Sequence, residues 1–371
     1  MKKILMIVFN DIDKDSRVQR AAMALNDNFD LTVISYGQYV EHKFDFNVIK
    51  FKLNGRSALV RYFEFIFELL NELRDKKFDV LYAHDFYCAL PLLILKIKKK
   101  SDKFIYDAHE LHIPEKYKQL NLRDKFFYFF EKKAIKKADL IICAQENRAQ
   151  IMKEHYKLNK YPLVIKNISY LPNSKNDISK NILSKYKDFF EKKAISVVYV
   201  GAISEERRIL DLVSSINELG KDYKLLIIGD GNYFSVINEK IKNINNSNIL
   251  IINAIPYNCL APILKQFDIG YLYYPNKYLN NIYCAPNKIF EYASVGLPMI
   301  SFYNPTLDEI FKKYNIGLCG EDLKEILVKI SSDISKYKAN LSLFVSDNKW
   351  DNEAENLRIA VNTLLNGDEY V

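Results

Sequence analysis

Residues Cys284–Ser301 read CAPNKIFEYASVGLPMIS. A β-rich run, IGYLYYP, precedes them, and Met299-Ile300-Ser301 at their end reads as another strand. Strand, helix, strand in close succession is the repeating unit of a parallel α/β fold. The helix is predicted to open at Pro286, where a missing N–H costs nothing, and Gly296-Leu297-Pro298 stops it. Asn287 and Lys288 then carry amides at the positive end of the helix dipole, an arrangement that suits an anion. Glu291 lies about one turn in, where a carboxylate can accept two hydroxyls side by side, as a ribose diol offers. A well-built helix packed on a sheet has the same residues, so the stretch poses two readings, scaffold or site.

The pattern recurs outward from there. KILMIVF, LTVISYG, NVIKFKL, DVLYAHD, KFIYDAHE, DLIICAQ and PLVIKN read as strands before it. SVVYVGA, KLLIIGDG, NILIINA, IGYLYY, PMISF and IGLCG make a second series. Helical segments such as 16–26 and 59–73 lie between, with Val18, Ala22 and Leu25 on one face. Strands that are apolar throughout are typical of parallel sheets covered on both sides. The polar stretch SYLPNSKNDISKNILSKYKDFFEKKA interrupts the alternation. Two doubly wound, Rossmann-like α/β domains are therefore expected, at 1–172 and 194–348. A linker region at 173–193 joins them, and a helical tail at 349–371 holds the only tryptophan, Trp350. Ligands of such sheets sit beyond the carboxyl ends of the strands, and two such domains are expected to face each other across a cleft.

Composition narrows the class. A chain of 371 residues with 49% hydrophobic content can build two cores. No apolar run reaches the roughly 18 residues that span a bilayer. The apolar part of the N-terminus, Ile4–Phe9, is short and has no small-residue cleavage site after it, so it reads as a strand. Cys88, Cys143, Cys259, Cys284 and Cys319 are scattered and form no C-x-x-C pair. That argues against a disulfide framework or zinc site and suits a reducing cytoplasm. Residues 1–180 hold 33 Lys+Arg against 23 Asp+Glu, whereas the rest holds 21 against 23, so the net +8 belongs to the first half. Its densest points, Lys96–Lys100 and Lys125–Lys137, suit an anionic membrane surface at the inner face of the cell membrane, or are simply solvated helix faces. No helix-turn-helix, RNP or zinc-finger pattern occurs, and nucleic acid is not an expected partner.

The residues just after each strand carry the candidate chemistry. After the first strand, Asp15 and Ser16 are placed to cap a helix, with Arg17 in its first turn and open amides that favour an anion. Asp11, Asp13 and Asp15 form two Asp-x-Asp pairs, read as loop and cap residues rather than a metal site. His84 and His109 stand at two successive strand ends, His109 between Asp107 and Glu110. Each is either an acid, base or hydroxyl ligand, or a structural histidine. His42, His112 and His155 have no comparable setting. In the second series, Gly201 permits close backbone approach, and Arg207 and Arg208 offer fixed cations to a phosphate. Gly229-Asp230-Gly231 is a turn that can admit a diphosphate or a base, though it is also ordinary turn chemistry.

Taken together, YVGAISEERRILDL, LLIIGDGN, IGYLYY and APNKIFEYASVGLPMIS resemble the GT-B glycosyltransferases of the GT4-like group (glycosyltransferase family 4, group 1), with DSRV and YDAHEL matching a bacterial branch that builds surface polysaccharides. The resemblance covers nearly the whole chain. It implies a retaining, metal-independent glycosyl transfer (EC 2.4 class) from an NDP-sugar, expected to be UDP-linked, to a glycan or lipid-linked glycan. It also implies an N-terminal acceptor domain, a C-terminal donor domain and a final helix crossing back to the first. By that resemblance His109, Arg207, Lys288 and Glu291 are the catalytic set. Gly201, Arg208, Gly229, Gly231 and Asn287 complete the donor site, and Asp15, Ser16, Arg17 and His84 lie on the acceptor side. No cofactor beyond the donor is implied. Two departures stand out. Tyr283 occupies the position where many relatives carry a first glutamate, and Gly201 is followed by Ala202 rather than arginine. A UDP-sugar 2-epimerase of the same architecture, or a non-catalytic sugar-nucleotide-binding protein, are the competing readings.

Overall fold

The structure, a computed structural model, describes residues 1–37, 44–114, 120–172 and 177–367. Thirteen strands among them form two sheets. The strands are β1 Lys3–Val8, β2 Asp30–Tyr36, β3 Asn47–Phe51, β4 Val80–His84, β5 Lys103–Ala108, β6 Leu140–Cys143 and β7 Leu163–Val164. The second series is β8 Ile195–Val200, β9 Tyr223–Ile228, β10 Ile249–Ile252, β11 Ile269–Tyr271, β12 Met299–Phe302 and β13 Gly317–Gly320. The first sheet runs β3-β2-β1-β4-β5-β6-β7 and the second β10-β9-β8-β11-β12-β13. Every pairing is parallel. Both orders reverse direction once, between β1 and β4 and between β8 and β11. Each sheet thus has a switch point where the following loops diverge and leave a crevice. The strands are buried on both faces, as in Ile4–Val8, which explains their unbroken apolar sequences.

The chain divides into two compact units, Met1–Asn167 with Trp350–Val371, and Ile168–Lys349. The tail helix Trp350–Asn366 belongs to the first unit. Its Ala354, Leu357, Ala360, Val361 and Leu364 join the core with Val18, Ala22 and Leu25 of helix Ser16–Asn26. Arg358 Nε donates to the Ala24 carbonyl at 2.7 Å, and Glu353 accepts the Lys166 amide at 2.9 Å.

The stretch read as a linker at 173–193 has structure of its own. Residues 173–176 lie outside the described residues, but Asp177–Lys185 and Lys187–Phe190 are helices that pack into the second unit. Phe189 is buried in its core, and the buried Lys224 amine caps the second helix by donating to the carbonyls of Phe189, Phe190 and Lys192. The sequence hides this because the apolar face is narrow and its partners lie far along the chain.

Candidate active site

Unit two builds one cluster around the β8/β11 switch point. Pro286 is extended, at φ −79° and ψ 130°, and serves as the N-cap, so the helix is Asn287–Ser294 and begins one residue later than predicted. No side chain caps it. Its first-turn amides are therefore open, and the Asn287 Oδ1 is buried without a hydrogen-bond partner. Gly296, at φ +80°, closes the helix in the left-handed region, and the Leu297 amide reaches back to the Tyr292 carbonyl at 3.0 Å. Tyr292 fixes the helix to the sheet. Its hydroxyl accepts the Val200 amide at 3.0 Å and donates to the Tyr271 carbonyl at 3.2 Å. Gly270 in β11 leaves the room that this ring occupies, since a Cβ there would lie 2.6 Å from it. Glu291 is consequently held in place, 3% exposed, in an ion pair with Lys288.

Arg207 approaches the same cluster from the loop after β8. Its NH1 donates to the Tyr273 carbonyl at 2.6 Å, and its guanidinium stands 4.3 Å from the centre of the Tyr274 ring. Burial pushes the Tyr274 hydroxyl up to about 12, with Arg207 pulling it down and Cys284 and Glu291 adding to the rise. Tyr274 thus packs against Arg207 and feels the charge of Glu291. Arg208 does not join them. It sits at φ +52°, stacks 3.5 Å from the Phe302 ring centre and forks onto Asp211 at 2.9 and 3.3 Å. Its charge is thus already partnered on the surface.

Gly229 and Gly231 have a packing duty. A Cβ on Gly229 would overlap the Gly201 carbonyl oxygen, and one on Gly231 would overlap that of Ile203. The loops after β8 and β9 are zipped together, with Ile203 N donating to Asp230 at 2.8 Å and Tyr233 N to Ile203 at 3.2 Å. Gly229→Ala is expected to force these loops apart and cost about 1–3 kcal/mol, read by chemical denaturation. An unchanged midpoint would mean the backbone there yields freely.

Unit one carries a separate polar cluster at the carboxyl ends of β1, β4 and β5. Asp15 caps helix Ser16–Asn26 as expected, its side chain accepting the Val18 amide at 3.1 Å, with Ser16 the first helical residue. Arg17 turns inward instead of facing a ligand. It forks onto Asp107 at 2.7 and 3.2 Å and donates to the Ile165 carbonyl at 3.3 Å. Burial opposes the Asp107 charge, but Arg17 and the two histidines outweigh it and hold the carboxyl well below the usual range. His84 is wholly buried and burial keeps it neutral, despite its hydrogen bond to Asp107. Its Nδ1 lies 3.2 Å from His109 Nε2, within hydrogen-bonding distance, with Asp107 Oδ2 at 3.5 and 3.7 Å. His109 is the least buried of the three, its side chain 15% exposed, and Arg148 holds its carbonyl at 2.9 Å.

Three ligand atoms of His84, Asp107 and His109 lie within 4.8 Å of one another, a spacing that can hold a metal ion. Both Asp107 oxygens, however, already bind the Arg17 cation, which repels a second positive charge. The Asp-x-Asp pairs are likewise engaged. Lys50 Nζ stands 2.7 Å from both Asp11 Oδ1 and Asp13 Oδ2, a lysine where a cation would sit.

Sequence reading missed His112. Its Nε2 is 3.4 Å from Glu110 and its Nδ1 3.5 Å from the buried Glu131, which also accepts the Tyr106 hydroxyl at 2.9 Å. Burial lowers the His112 pKa, but the hydrogen bonds to Glu110 and Glu131 prevail and raise it to about 10. A proton bound more tightly when folded stabilises fully below about pH 6.5, and that gain is lost as pH rises toward 10. His112→Gln is expected to cost about 1–3 kcal/mol at pH 7 and to flatten the fall in melting temperature between pH 7 and 10. An equally steep fall in the variant would refute this. His155 bonds Tyr128 at 2.7 Å, and His42 lies outside the described residues.

Two family models match the chain, Glycosyltransferase Family 4 over residues 16–169 and Glycosyl transferases group 1 over residues 182–356. A search of curated protein sequences returned no match. Solved structures share the fold. Sucrose-phosphate synthase from Thermosynechococcus elongatus is 14% identical with a TM-score of 0.76, over 99% of this chain and 100% of that one. HepE from Anabaena, in complex with UDP and glucose, is 13% identical with a TM-score of 0.71, over 99% and 100%. The pneumococcal O-GlcNAc transferase GtfA, in complex with UDP and GlcNAc, is 12% identical with a TM-score of 0.69, over 98% and 99%. At such identities the likeness is one of fold, here that of the GT-B glycosyltransferases.

Proposed function

The chain belongs to the GT4-like group 1 glycosyltransferases, and from that premise we propose that it moves a sugar from an NDP-sugar, UDP-linked, to a glycan or lipid-linked glycan of surface-polysaccharide assembly, with retention and without a metal. One observation carries this reading. The uncapped N-terminus of helix Asn287–Ser294 presents open amides beside Lys288 and a buried Glu291, and Arg207 stands against the Tyr274 ring after the neighbouring strand β11. Open amides and two cations suit a diphosphate, and a buried carboxylate suits the hydroxyl pair of a ribose. HepE and GtfA were solved with UDP and a sugar, which supports the same donor class here.

The chemistry follows from charge. As the bond from the anomeric carbon to the diphosphate oxygen breaks, negative charge grows on that oxygen. The helix amides and Arg207 stabilise it, and Lys288 joins them by exchanging its pair with Glu291 for the diphosphate, which frees the carboxylate for the ribose. The acceptor hydroxyl forms the new bond on the same face, and its proton passes to the departing phosphate. His109, aligned through His84 and held by Arg148, supplies a ring nitrogen for a sugar hydroxyl.

The test is incubation of the protein with UDP-, GDP- and dTDP-sugars and a lipid-linked glycan panel, with EDTA present throughout. Product of retained anomeric configuration, seen by NMR, is the expected result. Conversion of UDP-GlcNAc without acceptor would favour the epimerase reading. Donor binding without turnover would favour a binding protein. Activity abolished by EDTA would remove the metal-independent mechanism.

A further inference from the structure

We infer that Asn304 is a positioning residue for the donor site, an inference that rests on the site proposed above. It holds the loop that runs from the anchor of Arg207 to the helix opening at Asn287. Residues 272–286 connect β11 to that helix, and both ends of the connection belong to the switch-point cluster. At one end Tyr273 offers its carbonyl to Arg207, and Tyr274 offers its ring. At the other end Pro286 forms the N-cap. A single turn of helix, Leu279–Ile282, lies between, and its last carbonyls need partners from outside it.

The segment after β12 supplies them. Asn304 is wholly buried. Its Nδ2 donates to the Tyr274 carbonyl at 3.0 Å, the Asn281 carbonyl at 2.9 Å and the Asn276 Oδ1 at 3.2 Å. Thr306 Oγ1, also buried, donates to the Ile282 carbonyl at 2.8 Å. The Tyr303 carbonyl accepts Asn276 Nδ2 at 2.7 Å. The Tyr303 amide in turn donates to the Gly320 carbonyl at 2.9 Å, which anchors the segment to the end of β13.

Asn304 has a second duty that can be separated from the first. Its Oδ1 accepts the Leu307 amide at 3.1 Å, capping helix Pro305–Tyr314, and the Cys284 thiol at 3.7 Å. Serine or aspartate would cap that helix as well. Asparagine differs from them in carrying two donor protons on the same side chain, and here those protons go to the loop. A loop ordered before the donor arrives spares the entropy of ordering it on binding. The effect of the tether therefore falls on donor affinity, and that of the cap on folding.

The experiment compares the unaltered full chain with three variants. Asn304→Ser keeps an oxygen for the Leu307 amide but is too short to reach the loop. Thr306→Val loses the bond to Ile282 at nearly constant shape, and carries the same comparison if the first variant does not fold. Asn340→Ala is the control, because it removes a 3.2 Å bond to the Asn315 carbonyl at the far end of helix Pro305–Tyr314. UDP affinity is measured by calorimetry, with melting temperature and amide hydrogen exchange alongside. Asn304→Ser and Thr306→Val are expected to bind UDP about tenfold more weakly. They are also expected to speed exchange over 274–283 while 305–314 stays protected. Asn340→Ala is expected to melt earlier and to bind UDP as the parent does. Parental UDP affinity in Asn304→Ser and Thr306→Val, or an equal loss in Asn340→Ala, would overturn the positioning role and leave the donor site standing. A parent that binds no UDP would overturn the donor site and this role with it. Unchanged exchange over 274–283 in both loop variants would show, whatever the nucleotide does, that Asn304 does not hold the loop.

Discussion

Asp107→Ala is expected to destabilise the first unit by about 3–5 kcal/mol, because it strands the Arg17 guanidinium in the core without its counter-charge. Arg17 is 8% exposed and Asp107 1%, and neither can recover by turning to water. The pair spans ninety residues and ties helix Ser16–Asn26 to the end of β5. Replacing both, as Arg17→Met with Asp107→Leu, is expected to restore most of the loss, since the apolar exchange removes two desolvated charges together. The pH dependence has a definite sign. The folded Asp107 carboxyl titrates below that of free aspartate, so its stabilisation is complete above about pH 4 and disappears as pH falls through the folded value. Asp107→Asn is expected to lower stability at neutral pH and to abolish that acid limb. A cost below about 1 kcal/mol for Asp107→Ala would mean the pair is a passenger. The same substitution also releases the His84–His109 alignment, and loss of transfer in any fraction that remains folded would report on it.

Arg207→Ala is expected to lower the rate of sugar transfer by about 10²–10³, the usual effect of removing one preorganised donor from developing charge. Its effect on folding should be near 1 kcal/mol, the worth of the hydrogen bond to the Tyr273 carbonyl. The disparity between rate and stability is what separates a site residue from a scaffold residue. Arg207→Lys keeps the charge but loses the planar fork, and should fall between the two. Unaltered transfer by Arg207→Ala would take the residue out of the mechanism.

Much of this was legible in the chain before its folding was known. Both strand series, the parallel α/β class and the helix after Cys284 follow from apolar periodicity and from Pro and Gly punctuation, which are local signals. Asp15 as a cap was equally local. What escaped reading depends on contacts between distant segments. Arg17 looked like an anion ligand because it follows a cap, yet its partner stands at the end of another strand. The Asp-x-Asp pairs read as loop and cap residues, but their partner Lys50 lies on β3 and cannot be named from the loop alone. Tyr274 and Tyr292 do not stand out, because neither carries a charge nor marks a turn. Inspecting every residue after a strand, rather than only charged ones and glycines, would have found Tyr274. His112 seemed unremarkable because Glu131, its buried partner, sits on a later helix.

The most direct measurement is thermal stabilisation of the protein by UDP, GDP, CMP and dTDP and their sugars, with EDTA, in the parent and in Glu291→Ala. A nucleotide at about one hundred times its dissociation constant adds roughly 2.7 kcal/mol to the stability of the unit that binds it. The account predicts a selective shift with UDP and UDP-sugars, insensitive to EDTA and largely absent in Glu291→Ala. No shift with any nucleotide, or an equal shift in the variant, would contradict a donor site at the helix that opens with Asn287 and Lys288.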